Sequence, residues 1–187
     1  MLVERKLEYL RLAEFLKSEV WVEQFHVLFE LTKMAIKTKD GIFFLGNGGS
    51  AAEATHLAAE FIGKCVKAHE PWPAQSLADS MSAITAISND WSFDEVFSRQ
   101  VKALARPNSL FIALTTSGKS RNVIEALKIA KELGSKTAVL TTELGALNCS
   151  QFADVSLNVP TTSTPRAQEI HLFWGHLLAE MLELDEF

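Results

Sequence analysis

A histidine and a glutamate four residues apart, and a second histidine far along the chain, are the side chains best suited to proton transfer in this sequence. His56 and Glu60 lie in the alanine-rich stretch AAEATHLAAE at residues 51–60. Because alanine is the strongest helix former, this stretch predicts a helix on which the two side chains share one face. A carboxylate and an imidazole can act as general base and acid, although this spacing on a helix often reflects only a surface contact.

The second histidine, His176, lies in the largely apolar stretch AQEIHLFWGHLL at residues 167–178. Gln168 precedes it by two helical turns, about 80° away around the axis at ~100° per residue, so the two side chains can share a broad face. His171 lies between them and is interpreted as a core or interface histidine rather than a ligand. Polar side chains in such an apolar helix favour a functional site over an isolated surface contact.

A glycine loop precedes the helix that carries His56. Residues 42–45 are apolar and typical of a buried strand, and GNGG at 46–49 is too flexible to continue it. Ser50 is a favourable residue for capping the N-terminus of the next helix. Backbone N–H groups in such a loop, together with the positive end of a helix, can bind an anion such as phosphate.

Two alternatives remain for this loop. Gly46, Gly48 and Ala51 fit the dinucleotide pattern G-x-G-x-x-A after a strand. Asp79 is a candidate for the ribose-binding acid, although it lies later than usual. A tight turn that binds no ligand is the other alternative. A second loop farther along the chain favours a phosphate site over both.

The second loop, TTSGKS at residues 115–120, follows the short apolar strand 110–114. It lacks the Walker pattern, but hydroxyl groups and backbone amides at a helix N-terminus can together donate to the free oxygens of a phosphomonoester. The hydroxyl groups belong to Thr115, Thr116, Ser117 and Ser120. Their alternative role is capping and turn formation, and Lys119 is interpreted as an exposed loop lysine. The loop therefore predicts a phosphate site.

The remaining elements predict an α/β fold. The predicted strands are residues 42–45, 74–78, 110–114, 137–141 and 154–159. The predicted helices are residues 50–60, 80–88, 93–104, 121–133 and a long C-terminal helix that begins near Pro165. Asn89 and Asp90 fall in a polar turn between two of them. Strands that alternate with helices favour a mostly parallel sheet covered on both faces, in which ligands bind beyond the carboxyl ends of the strands.

Residues 2–38 contain no glycine or proline and predict two further helices. One apolar stripe comprises Leu7, Leu10, Val22, Phe25, Phe29 and Ile36, and a second comprises Leu28, Leu31 and Ala35. A helix that is apolar on two sides is expected to pack against its own domain and against another subunit. Residues 1–38 are therefore predicted to be a helical extension that mediates oligomerisation.

Length and composition narrow the functional class. A chain of 187 residues, 48% hydrophobic and 22% charged, suits a single globular domain over residues 1–187. A net charge of −5 without a long basic run argues against nucleic acid or an anionic membrane as partner, and no apolar run approaches ~18 residues. Two cysteines, Cys65 and Cys149, make no disulfide framework, and the N-terminus is charged where a signal peptide is apolar. A cytoplasmic location is expected.

Five motifs taken together resemble one enzyme family. GNGGSAAEATHLAAE, AISND, FSRQV, TTSGKS and AQEIHLFWGHLL, in that order, are similar to the sugar isomerase (SIS) domain and, more closely, to the bacterial phosphoheptose isomerases. The resemblance implies a three-layer α-β-α fold with a five-stranded parallel, flavodoxin-like sheet, and a homotetramer whose active sites draw on neighbouring subunits. It also implies isomerisation of sedoheptulose 7-phosphate to D-glycero-D-manno-heptose 7-phosphate, the first step towards the heptose of lipopolysaccharide, capsule or related glycans.

The resemblance also implies roles for individual residues. The substrate-binding positions are Asn47, Gly48, Gly49, Glu60, Asn89, Asp90, Thr115, Thr116, Ser117, Ser120 and Gln168. The zinc-site positions are His56, Glu60, Gln168 and His176, of which Glu60 and His176 are also the catalytic pair. Thr115 keeps a hydroxyl where the family usually has serine, whereas TTSTPRAQ at 161–168 departs from the family pattern. The alternative is a non-catalytic SIS-type phosphosugar-binding or replication-regulating protein, and such relatives can lack both Glu60 and His176.

Overall fold

Five strands form one parallel sheet, the central layer of the computed structural model, in which residues 2–185 are described. The strands are β1 (Ile42–Gly46), β2 (Ala74–Ser76), β3 (Leu110–Leu114), β4 (Lys136–Thr142) and β5 (Val155–Val159). Their order is β2-β1-β3-β4-β5, which confirms the predicted five-stranded parallel sheet. The order reverses between β1 and β3, and ligands of such sheets bind at the carboxyl ends of the strands at this point.

Helices cover both faces of the sheet. They are α1 (Leu2–Lys17), α2 (Val22–Thr38), α3 (Gly49–Ile62), α4 (Met81–Asp90), α5 (Ser98–Leu104), α6 (Arg121–Glu132), α7 (Glu143–Cys149) and α8 (Thr164–Leu184). Short 3₁₀ turns lie at Phe93–Glu95 and Ser150–Phe152. Within residues 2–185, none of the helices combines the length and the apolar character that crossing a membrane requires.

Alternating side chains along each strand build two separate cores, because successive residues point to opposite faces. On one face, Phe44 packs with Leu57 of α3 and Trp174 of α8, together with residues of α1 and α2. On the other face, Phe43 and Phe111 stack with ring centroids 4.9 Å apart and pack against α5 and α6. These two cores give the expected three-layer α-β-α arrangement.

A glycine allows α8 to approach α3 closely. A Cβ atom on Gly175 would lie only 2.3 Å from Leu57 Cδ2, so a larger residue would push the two helices apart. Trp174, beside this glycine, is fully buried. Because His56 and His176 adjoin Leu57 and Gly175 in sequence, this contact brings the two histidines together.

The short helix α7 was not among the predicted elements. Its first turn is capped by Thr142, whose hydroxyl accepts a 2.9 Å hydrogen bond from the Gly145 N–H. The helix has only seven residues, too few for a helical repeat of apolar positions to be recognised. It contacts the second loop of the site, as described below.

One predicted turn, one predicted helix and one predicted cap differ from the structure. Helix α4 continues through Asn89 and Asp90, so these residues form its last turn rather than a polar turn, and the predicted helix 93–104 divides into a 3₁₀ turn and α5. Ser50 does not cap α3: the helix already begins at Gly49, and the capping position is Gly48, whose φ is +55°. The positive φ at Gly48 starts the helix earlier than the serine pattern predicts.

The two apolar stripes of the N-terminal helices do not divide into an inner and an outer face. Leu28 and Ala35 of the second stripe are buried in the same core as Phe25, whereas Leu7 and Leu10 of the first stripe are exposed. Other apolar side chains, Val27 and Met34, form the exposed part of α2. The N-terminal helices thus expose apolar side chains as expected, but the exposed residues are not those of the second predicted stripe.

Candidate active site

The two loops lie side by side because β1 and β3 pair in register, with Gly46 opposite Leu114 at their carboxyl ends. Asn47 and Asn122 connect the loops: each side-chain amide donates to the carbonyl oxygen of the other, both at 2.8 Å. Asn122 is buried at the start of α6, and its role was not predicted. The Asn47 side chain thus fixes the glycine loop to α6.

The TTSGKS loop depends on a glycine at its centre. Gly118 has a φ of +62°, and a Cβ atom there would lie 2.1 Å from the backbone oxygen of Gly145 in α7. Asn148 of the same helix donates a 3.1 Å hydrogen bond to the Ser117 carbonyl oxygen. Helix α7 therefore packs directly against the loop, and only glycine fits at position 118, where the two segments touch.

A cavity of about 160 Å³ lies between the two loops and α8. Its lining comprises Asn47, Gly49, Ser50, Leu114, Thr115, Thr116, Ser117, Ser120, Thr164 and Gln168. All four hydroxyl residues predicted for the second loop therefore converge on one space. Ser50 and Thr164 were not predicted to line it, and the Thr164 and Thr116 hydroxyls lie 3.4 Å apart. Hydroxyl and amide donors without an acidic side chain at a helix N-terminus suit a phosphate group.

Gln168 joins α8 to the glycine loop. Its side-chain Nε2 donates to Ser50 Oγ at 3.3 Å. A Cβ atom on Gly49 would lie 2.5 Å from the same nitrogen, so the amide occupies the space that the glycine leaves free. The structure thus places Gln168 in the lining of the cavity. The family resemblance predicts a substrate-binding residue at this position.

The predicted titratable residues meet between α3 and α8. His56 Nε2 and His176 Nε2 are 2.7 Å apart, and His56 Nε2 is 3.6 Å from Glu60 Oε1. The ring centroids of the two histidines are 5.0 Å apart in an edge-to-face arrangement. Residues 120 positions apart in sequence therefore form one cluster, reachable from solvent because His56 is exposed and Glu60 and His176 are half-buried.

The chemistry of this cluster fits a divalent metal ion. One ligand atom from each of His56, Glu60 and His176 lies within 4.8 Å of the others. Two imidazoles and a carboxylate are typical zinc ligands, and a catalytic zinc site keeps a position open for water or substrate. Gln168, the fourth residue of the predicted zinc site, bonds to Ser50 in this structure.

A buried acid and a buried histidine lie behind the site. His171 is fully buried, as its interpretation as a core histidine requires, and its Nδ1 is 3.8 Å from Glu53 Oε1. Burial raises the pKa of Glu53 to about 7, an effect that neighbouring Ser50 and Gln168 reduce. Burial also lowers the pKa of His171 to about 4. Between these values both groups are neutral, which avoids an unpaired charge in the core.

Asn89 and Asp90 do not line the cavity. Both are exposed in the last turn of α4, where Asn89 Nδ2 donates to Asp90 Oδ1 at 2.8 Å. Asp79, the residue considered for dinucleotide binding, accepts a hydrogen bond from Thr55 Oγ1.

Comparisons with known proteins show which family this chain resembles in sequence and fold. The SIS domain family model matches residues 11–142. The phosphoheptose isomerase of Rhodospirillum rubrum is 44% identical over 142 residues, which cover 76% of this chain and 75% of that protein. That of Aquifex aeolicus is 40% identical over 165 residues, 88% of this chain and 86% of that protein. The solved structure of the phosphoheptose isomerase from Neisseria gonorrhoeae superposes with a TM-score of 0.89 at 36% identity, covering 98% of this chain and 97% of that chain.

Proposed function

Because this chain belongs to the phosphoheptose isomerase family of SIS-domain proteins, we propose that it converts sedoheptulose 7-phosphate to D-glycero-D-manno-heptose 7-phosphate. The supporting observation is the position of two sites along α3. The cavity lies at Gly49, where the helix begins, and His56 follows seven residues later, about 10 Å along the axis at 1.5 Å per residue. An extended sugar whose phosphate occupies the cavity can therefore reach the His56–Glu60–His176 cluster with its other end.

The reaction moves a proton between C1 and C2 of the sugar through an enediol. Glu60 is the base for the carbon-bound proton, and His176 transfers the proton at oxygen. A half-buried carboxylate and imidazole that two helices bring into one cluster can reach the same pair of carbons. The phosphate cavity contributes by fixing the distance of C1 and C2 from this pair.

Zinc is the metal that we propose for the cluster, with His56, Glu60 and His176 as its ligands. Gln168, the fourth residue of the predicted zinc site, would have to leave its bond to Ser50 in order to join them. The metal would polarise the carbonyl and hydroxyl oxygens of the sugar and stabilise the enediolate charge.

Removal of the metal should abolish turnover, and Zn²⁺ should restore it. Elemental analysis of the native protein should find one divalent ion per subunit, since residues 2–185 contain one such cluster. Chelation followed by dialysis, with activity measured before and after addition of Zn²⁺, is the measurement. Full turnover in metal-free protein would leave these side chains as acid–base groups only.

A homotetramer with active sites at its subunit interfaces is part of the proposal. Apolar side chains that are exposed in the single subunit support it: Leu7 and Leu10 of α1, Val27 and Met34 of α2. The exposed position of Asn89 and Asp90, apart from the cavity of their own subunit, fits a site completed by a neighbour. Light scattering at micromolar concentration should give the tetramer mass, and a monomer mass would contradict this assembly.

A non-catalytic phosphosugar-binding protein is the alternative function. Both Glu60 and His176 are present and lie in one cluster, which favours the enzyme.

We further propose that the protein is a cytoplasmic enzyme that supplies heptose for lipopolysaccharide or related glycans. Its two cysteines are both free, which is consistent with a reducing compartment.

Incubation with sedoheptulose 7-phosphate is the direct test. The purified protein should form the aldose phosphate at a rate proportional to protein concentration. Other ketose phosphates serve as the specificity controls. Binding of phosphosugars without any turnover would support the non-catalytic alternative.

A further inference from the structure

A buried carboxylate at the end of α8 binds three consecutive backbone amides. Glu183 Oε1 accepts the Cys65 N–H at 2.6 Å, and Oε2 accepts those of Val66 and Lys67 at 2.9 and 2.7 Å. The Glu183 side chain is 1% exposed, and His69 Nε2 lies 3.6 Å from Oε1. Burial alone would raise the pKa of Glu183, but the three N–H donors and His69 together lower it. The group is thus an anion bound by a concave row of N–H groups.

Most side chains of residues 64–67 are exposed, so their burial contributes little to the attachment of this segment. Val66 is 66% exposed, and Lys64 and Lys67 are exposed as well. The segment follows the end of α3 at Ile62 without an intervening secondary-structure element. Among its side chains, Cys65 packs against the core, and the bonds to Glu183 supply the polar attachment of its backbone to α8.

This attachment lies beside the catalytic cluster. His176 and Glu183 are seven residues apart on α8, so they lie on nearly the same face and about 10 Å apart along the axis. Glu60 precedes Cys65 by five residues, and the Cys65 sulfur lies 4.0 Å from the His176 carbonyl oxygen. One face of α8 therefore contacts the C-terminal part of α3 at the cluster and the following segment at Glu183.

We propose that Glu183 is a positioning residue for the isomerase reaction: by binding the backbone of residues 65–67, it fixes the last turn of α3, and with it Glu60, relative to His176. This inference rests on the proposed function for its effect on turnover. Without the carboxylate, only the core packing of Leu57 and Phe61 holds the last turn of α3, so the distances from Glu60 to His56 and His176 vary more. A displacement of catalytic groups by ~1 Å is enough to reduce turnover substantially.

Glu183→Gln is the test, because it keeps the volume but presents an NH₂ group to N–H donors. We expect kcat to fall by ~10–100-fold and Zn²⁺ affinity by a similar factor, the range for residues that orient metal ligands. The KM should change little because the phosphate cavity is untouched. Backbone amide exchange at residues 59–62 and 65–67 should accelerate.

Asp154→Asn is the matched control. Asp154 Oδ2 also accepts a backbone N–H, that of Thr137 at 2.8 Å, but at the amino-terminal end of β4, away from the cluster. This variant should lower the melting temperature while leaving kcat, Zn²⁺ affinity and exchange at residues 59–67 unchanged. A purely structural Glu183 would lower the melting temperature and accelerate exchange at residues 65–67, while kcat, Zn²⁺ affinity and exchange at residues 59–62 stayed unchanged, and this result would overturn the proposal.

Two further measurements test the proposal if Glu183→Gln does not fold or if the unmodified protein shows no turnover. If Glu183→Gln does not fold, Glu183→Asp replaces it, because it keeps the charge on a shorter side chain. The kcat of Glu183→Asp should be lower than that of the unmodified protein but not severely reduced. In the unmodified protein the amides of residues 65–67 should exchange slowly, and exchange at the rate of an open loop would overturn the proposal. Absence of turnover in the unmodified protein would contradict only the proposed function, since Zn²⁺ binding and amide exchange still report on Glu183.

Discussion

Glu60→Gln and His176→Asn should each lower turnover of sedoheptulose 7-phosphate by at least ~10²–10⁴-fold, the loss typical of removing a general acid or base. Glu60→Gln is isosteric, His176→Asn removes two side-chain atoms but keeps a polar group, and neither residue is part of the buried core. Substrate affinity should fall much less, because the phosphate cavity at the start of α3 remains intact. Turnover is measured by product formation, and binding by calorimetry on the same variants.

Two controls distinguish the loss of a catalytic group from the loss of bound metal and from a nonspecific effect of substitution. Zinc content must be determined for each variant, because both side chains are also candidate ligands. Glu132→Gln makes the same chemical change as Glu60→Gln at an exposed position of α6 and should retain full turnover. Retained turnover in both Glu60→Gln and His176→Asn would refute the catalytic assignment.

Gly118→Ala should remove most phosphosugar binding and destabilise the fold. The added Cβ would meet the Gly145 backbone oxygen at 2.1 Å and its carbonyl carbon at 2.8 Å, so no side-chain rotation relieves the overlap. The left-handed φ of +62° adds ~1–2 kcal/mol and the overlap ~1–3 kcal/mol to the loss of unfolding free energy. Displacing two or more charge-assisted hydrogen bonds to the phosphate should weaken binding by at least ~100-fold.

Gly134→Ala provides the comparison for this effect. Gly134 also has a positive φ, +79°, but a Cβ there would meet no atom within 4 Å. This variant should therefore lose only the ~1–2 kcal/mol of the left-handed backbone and bind substrate normally. Calorimetry with sedoheptulose 7-phosphate and chemical denaturation measure the two quantities. Equal binding by Gly118→Ala and the unmodified protein would exclude the 115–120 loop as the phosphate site.

The sequence by itself determined the α/β class, the parallel sheet and the position of both loops at strand carboxyl ends. These features follow from local patterns: apolar runs such as 110–114, the alanine-rich helix that begins near residue 50, and loops rich in glycine and hydroxyl residues. Whether a segment forms a helix or a strand depends largely on such short-range signals, and the alternation of the two types favours a parallel sheet. The residue types at His56, Glu60 and His176 likewise indicated the chemistry before their positions were known.

Only the tertiary structure decided which of these side chains meet. The contact between His56 and His176 depends on how closely α8 packs against α3, which Gly175 permits by leaving room for Leu57. The roles of Asn122 and of α7 at the loops were not visible, because an isolated asparagine and a seven-residue helix have no distinctive pattern. The three amides on Glu183 could not be predicted either, since a carboxylate 116 or more residues away carries no local signal of the loop it binds. Contacts between distant segments depend on the shapes of packed surfaces, and one sequence read locally does not contain that information.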